Sequence, residues 1–267
     1  MNRKLSRATL LIIIGVVVAS PFLISGKNTT SAPLQSQAVS AEISNANILL
    51  KPADMTPPVK QVSRLEMLSK EARSLYDSMR LNRYGLTRKA FEYAYRGYKS
   101  LLEKGNLNKS DIISICDFSQ SSRRKRLYVI DVDDRKVLLN TFVAHGRNSG
   151  AEYARSFSNS PESHKSSLGF YVTRQTYYGQ YGLALKIDGL ESGINDKANE
   201  RNIVVHGSDY VGENFIRCNK FNGRSFGCPA IPAKLTTKLI NTIKNGSCLF
   251  IYHPTKNYLS KSRLLNG

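Results

Sequence analysis

The segment from Ile203 to Pro232, IVVHGSDYVGENFIRCNKFNGRSFGCPAIP, holds the residues best suited to chemistry. His206 follows a β-branched run, and 22 positions later Cys228 stands between a glycine and a proline. A thiol attacks as thiolate and a neighbouring imidazole can take its proton, so the two read as nucleophile and base. Gly223 and Gly227 permit a tight turn, which predicts that the N–H groups of Gly227 and Cys228 converge as an oxyanion hole. Such an arrangement suits acyl transfer. Arg224 is the candidate anionic contact beside Cys228, because a guanidinium can hold a carboxylate through two parallel bonds and also favours a thiolate. Its plainer reading is a surface arginine. Ser208 and Ser225 either bond substrate or cap turns. His145, at the end of a predicted strand, is a candidate for the pocket wall or a structural histidine, and Tyr178 and Tyr181 either flank a cleft or pack strand ends.

These residues need a scaffold, and the periodicity of the chain supplies one. Leu65, Leu68, Ala72, Leu75, Tyr76 and Met79 recur at helical spacing. After the Tyr84-Gly85 break, Thr87 can cap a second helix carrying Phe91, Ala94, Tyr95, Tyr98, Leu101 and Leu102, which Gly105 ends. The aromatic stripe on that helix reads as a packing face. Short β runs follow at Ile112–Phe118, Leu127–Val132, Val137–Ala144, Leu168–Thr173, Leu183–Asp188 and Ile203–His206. A helix over Ala233–Lys244 and a strand over Cys248–Tyr252 close the pattern. Gly179-x-x-Gly182 sits among strands and marks turns. The fold class is α+β: a β-rich catalytic domain over 109–267 with a helical support segment over 61–108.

Upstream, residues 25–60 are rich in Ser, Thr, Ala, Gln and Pro and read as a flexible linker. Residues 1–24 pair a basic start, Arg3, Lys4 and Arg7, with the apolar run from Ala8, as in a signal peptide or membrane anchor. Either form sends the rest of the chain across the membrane, with N-terminal membrane contact if the segment stays uncleaved. The formal net charge is +19. Without residues 1–24, which hold three basic and no acidic residues, +16 remains. An exported protein so basic favours anionic partners such as wall carboxylates or an anionic envelope surface; nucleic acid does not fit the compartment, and no recognition motif is present. The run Arg123-Arg124-Lys125-Arg126 reads as a solvated loop. Cys116, Cys218, Cys228 and Cys248 lack the paired spacing of a zinc site, so neither a metal nor another cofactor is expected. A Cys218–Cys228 disulfide is the rival to a catalytic thiol.

The segment resembles the L,D-transpeptidase catalytic domain (YkuD-like) family, in its murein L,D-transpeptidase branch. His206-Gly207 matches the family's histidine-glycine pair, and Ser225-Phe226-Gly227-Cys228 its Ser/Thr-x-Gly-Cys turn. The likeness extends through His145-Gly146-Arg147, Phe157-Ser158-Asn159, Ser166-Ser167-Leu168-Gly169 and Tyr178-Gly179-Gln180-Tyr181-Gly182, and covers roughly residues 110–253. It implies a periplasmic or envelope enzyme acting on peptidoglycan stem peptides through an acyl-enzyme on Cys228, with His206 as base. Gly207 would then offer a backbone carbonyl that orients the imidazole. Phe226 stands where most members have a second histidine, and Pro229-Ala230-Ile231 where they have an arginine, so the substrate-carboxylate role would move to Arg224. Two other functions share these residues: a cysteine peptidase or carboxypeptidase that uses water as acceptor, and a catalytically silent wall-binding module.

Overall fold

The structure is a computed structural model that describes residues 63–180 and 182–266. The expected signal or anchor segment, the linker and Tyr181 lie outside the described residues. No described helix is long and apolar enough to cross a membrane.

Helix α1, Arg64–Ser78, starts at a capping box in which the Ser63 hydroxyl and the Glu66 carboxylate each accept the other's backbone N–H. Leu68, Ala72 and Tyr76 form its buried stripe, while Leu65 stays on the surface. Helix α2, Arg88–Glu103, is capped by the Thr87 hydroxyl, which accepts from Ala90 N at 3.2 Å. Its aromatic stripe, Phe91, Tyr95 and Tyr98, is buried in the same core as the sheet. At Gly97 the helix meets the sheet so closely that a Cβ there would fall 2.0 Å from the Phe170 ring. That ring stacks on Phe250 at 4.1 Å.

The sheet has eight strands: β1 Ile112–Asp117, β2 Leu127–Asp131, β3 Lys136–Thr141, β4 Gly169–Gly179, β5 Gly182–Gly189, β6 Val204–Ser208, β7 Ala230–Pro232 and β8 Cys248–Tyr252. Their order is β3-β2-β1-β8-β4-β5-β6-β7, with β1–β8 and β6–β7 parallel and the other neighbours antiparallel. This is the α+β architecture expected from the periodicity. β4 runs six residues beyond the expected Thr173, past a register shift between Thr173 and Thr176, to a tight hairpin at Gly179 and Gly182. The polar, exposed outer half of that strand gave no alternating signal. Helix α4, Thr236–Ile243, follows a short 3-10 turn and buries Leu239, Ile240 and Ile243.

Two elements were unreadable for a physical reason. β7 has three residues, too few to show a period, and helix α3, Glu213–Asn219, buries no side chain. Two short C-terminal helices, α5 Lys256–Lys261 and α6 Arg263–Asn266, are held by the buried Glu191, whose carboxylate accepts from Phe170 N at 2.8 Å, Tyr258 OH at 3.1 Å and the Ser262 hydroxyl.

One expectation is corrected. Arg123, Arg124 and Lys125 are exposed as a solvated loop should be, but Arg126 is wholly buried at the entry to β2. Its guanidinium donates to Gln120 O at 2.7 Å and to Val143 O at 3.0 and 3.1 Å, and lies 2.8 Å from His145 Nδ1. These bonds explain how a charge is tolerated there.

Candidate active site

The geometry of the site follows from β6 and β7 being parallel neighbours. His206 pairs with Ala230, so Cys228, two residues before Ala230, lies beside the start of β6. Cys228 itself sits in the bend before β7, two residues ahead of the position paired with His206, an offset along the strand of about 7 Å. Its sulfur lies against the backbone at the start of β6: Val204 N donates to Cys228 Sγ at 3.5 Å, and the thiol donates to Asn202 O at 3.7 Å. Returning the chain to the start of β6 takes the long excursion 209–229, which contains α3. Cys218 lies exposed on that helix and, like Cys116, Cys228 and Cys248, is a free thiol, so the rival disulfide is not formed.

The turn before Cys228 is fastened on several sides. Ser225 Oγ donates to Cys228 O at 2.6 Å and accepts from Gly227 N at 3.1 Å. The expected oxyanion pairing of Gly227 and Cys228 is therefore altered, because the serine two residues back captures the Gly227 N–H in a local turn. Ser225 N donates to His145 O at 3.0 Å and Arg147 N to Ser225 O at 2.7 Å. Ser166 Oγ donates to Gly227 O at 3.1 Å and accepts from Gly146 N at 3.0 Å. Gly227 has φ +129°, and a Cβ there would meet Lys165 O at 2.9 Å. Both the dihedral and the crowding demand glycine.

His206 is buried, with Nδ1 3.0 Å from Gly207 O. A carbonyl can only accept, so Nδ1 carries the proton and Nε2 the lone pair. Burial lowers the imidazole's affinity for a proton against the pull of that carbonyl. Burial likewise raises the Cys228 thiol above its usual range, opposed by the Val204 N–H, the Arg201 guanidinium and the cysteine's own N–H. Both shifts favour a neutral resting pair, which would transfer its proton during attack.

The other candidates fall in different places. His145 is fully enclosed: Arg126 donates to Nδ1, Nε2 lies 3.3 Å from Gly150 O, and the edge of Phe118 packs against it. It reaches the site through its backbone, by the bond to Ser225. Arg224 is exposed, and its Nη1 donates to Gly150 O at 3.2 Å and Arg147 O at 3.4 Å. Ser208 Oγ accepts from Tyr210 N at 3.4 Å, a turn cap. Tyr178 is 84% exposed and pairs with Leu183, so it alternates onto the face opposite His206, in a cavity of about 530 Å³ with Gly207, Ser208 and Thr236. Its neighbour Tyr177 pairs with Ala184, which pairs with His206, and so shares the His206 face.

Several site residues escaped the sequence reading. A cavity of about 340 Å³ is lined by Tyr177, Lys186, Asn199, Asn202, Ile203 and Val204, two of which contact the thiol. The register of β5 on β6 was the signal for Lys186, and it requires knowing which strands pair. Arg201 stands alone in a turn, with hydrogen-bond partners 34 to 43 residues upstream. Phe226, which the sequence reading did single out, is 58% exposed and flanked by the His164 ring at 4.7 Å and the Arg147 guanidinium at 4.8 Å.

The described site is thus a half-buried thiol on a strand-entry turn, against the backbone two positions before a buried imidazole. A family model described as the L,D-transpeptidase catalytic domain matches residues 82–252, and the chain belongs to that family. The match begins ahead of α2, upstream of the sheet. Among solved structures the chain is similar to an L,D-transpeptidase from Mycobacterium smegmatis, at 10% identity and TM-score 0.33, covering 54% of this chain and 59% of that one. It is similar to L,D-transpeptidase 1 of Mycobacterium tuberculosis at 12% identity and TM-score 0.30, covering 54% and 62%. The helical cell shape determining protein Pgp2 of Campylobacter jejuni gives 17% identity and TM-score 0.33, covering 61% and 55%. The chain thus spans less than two thirds of each of these structures. No curated protein matches it.

Proposed function

We propose that the protein is an exported, cysteine-dependent L,D-transpeptidase acting on peptidoglycan stem peptides. The observation that carries this reading is the placement of Cys228 Sγ against Val204 N, two strand positions before His206, in a chain of this family. His206 Nε2 takes the thiol proton as sulfur bonds to the carbonyl carbon of a peptide link in the stem. The oxyanion so formed develops near the Cys228 N–H, while the Val204 N–H stays engaged with the sulfur. The intermediate collapses by breaking the C–N bond, and His206 returns its proton to the departing amine. An acceptor amine then attacks the thioester, gives a proton to His206, and releases the thiol as the new amide forms. The Tyr177–Lys186 cavity beside the sulfur is the proposed acyl-donor cleft, and the basic charge suits an anionic wall.

The test is covalent labelling. A carbapenem, a strained acyl donor that the family resemblance suggests, should give one adduct per chain on the peptide containing Cys228, identified by mass spectrometry. His206→Ala should slow it by on the order of a hundredfold. Equal rates with and without the imidazole would refute the dyad. Product masses with and without an added acceptor amine separate transfer from hydrolysis.

A further inference from the structure

The Arg201 guanidinium has no carboxylate among its hydrogen-bond partners in the described residues, and Glu162 acts on it only at a distance. Arg201 closes the turn before β6, where its N–H donates to Lys197 O at 2.9 Å. Its guanidinium is spread over the 158–167 segment: Nη1 donates to Ser158 O at 2.8 Å and to Ser167 Oγ, and Nη2 to Lys165 O at 2.6 Å and Ser163 Oγ at 3.2 Å. All four acceptors are neutral. Among the described residues no ion pair includes Arg201. An arginine keeps its proton when desolvated, and an uncompensated, partly buried charge is costly. The cost is understandable where a neighbouring group turns negative. The same guanidinium lies against the turn that presents the thiol: a Cβ on Gly227 would be 3.2 Å from Nη2.

We propose that Arg201 is a positioning residue for the reaction, one that locks the 158–167 segment against the Gly227–Cys228 turn and holds a permanent positive charge there to stabilise the thiolate. This rests on the reading of Cys228 as nucleophile. It also accounts for a site in which Phe226 cannot share the proton work and burial opposes ionisation of the thiol. The charged or titratable groups around the turn include His206 on β6, Lys186 on β5, Tyr171 on β4, Glu162, His164 and Lys165 on the 158–167 segment, and Arg147 and Arg224 on the flanking turns. Arg147 lies over Phe226, Arg224 is turned to carbonyls, and the His164 ring pairs with Glu162 at 3.6 Å. Arg201 is both partly buried and packed on Gly227. Its charge opposes the burial of the sulfur.

The test reads the pH midpoint of Cys228 alkylation by iodoacetamide in the full-length chain, quantified by mass spectrometry on the Cys228 peptide. Arg201→Gln should raise the midpoint by about one unit and slow labelling at neutral pH about tenfold, whereas Arg201→Lys should keep most of the wild-type midpoint with a lower Tm. Should Arg201→Gln not fold, Ser167→Asp serves: it leaves the arginine in place but pairs it with a carboxylate, and should raise the midpoint likewise. Ser167→Ala, which removes the hydroxyl's bonds to Arg201 and Ser158 O without altering charge, should leave the midpoint unchanged. An unchanged midpoint in folded Arg201→Gln or Ser167→Asp overturns the proposal, as does an equal shift in Ser167→Ala. A wild-type chain that gives no carbapenem adduct on Cys228 refutes the transpeptidase reading instead, while its alkylation midpoints still decide the role of Arg201.

Discussion

Acid should destabilise this protein through His145. The imidazole has no solvent exposure, and its pKa is pushed down to about 3, first by burial, then by the Arg126 charge at Nδ1, with Arg224 adding to it and the carbonyls of Gly150 and Ala151 opposing. A folded-state pKa below the unfolded value of about 6.5 means the unfolded chain binds the proton first, so stability is full above pH 6.5 and falls as pH drops towards 3. Each unit in that window is worth about 1.4 kcal/mol, so the whole descent amounts to roughly 3 to 6 kcal/mol, and pH 4.5 alone costs about 2 to 3. That is a large fraction of a typical domain's stability. Urea unfolding at pH 7.5, 6.0 and 4.5 measures it. His206 and His253 shift in the same direction, also through burial, so the comparison is with His145→Gln. Glutamine can accept from Arg126 and donate to Gly150 without titrating. The variant should be weaker than wild type at pH 7.5 but lose less on acidification. Parallel pH curves for the two proteins, or an imidazole of His145 titrating near 6.5 in the native state, would refute the reasoning.

Two further outcomes follow from the packing. Gly97→Ala should destabilise the fold by about 1 to 3 kcal/mol despite the better helix propensity of alanine, because Phe170 is buried and stacked and cannot swing away from a Cβ at 2.0 Å; an unchanged urea midpoint would disprove that contact. Ser225→Ala removes the bond to Cys228 O and the acceptor for Gly227 N, a loss of about 1 to 3 kcal/mol, and should lower the Tm and slow carbapenem acylation, which wild-type kinetics would contradict.

What the sequence determined by itself is whatever depends on local order. The 3.6-residue stripe of Leu68, Ala72 and Tyr76, the cap at Thr87, and the apolar, β-branched and aromatic runs of β1, β2 and β8 are properties of adjacent residues, and they mark most elements within a few positions. The glycine before Cys228 and the histidine ahead of it likewise flag a chemical turn without reference to fold. Strand partnership was beyond its reach, because hydrogen-bonding of β6 to β5 and β7 is a choice among all strands. That choice sets Tyr177 and Lys186 on the His206 face and turns Tyr178 to the other. It seals His145 and Arg126 together in the interior, though a polar side chain in a loop carries no local mark of burial. It also brings Arg201 to the 158–167 segment and Gly227, since a single cation acquires meaning only from neighbours distant in the chain.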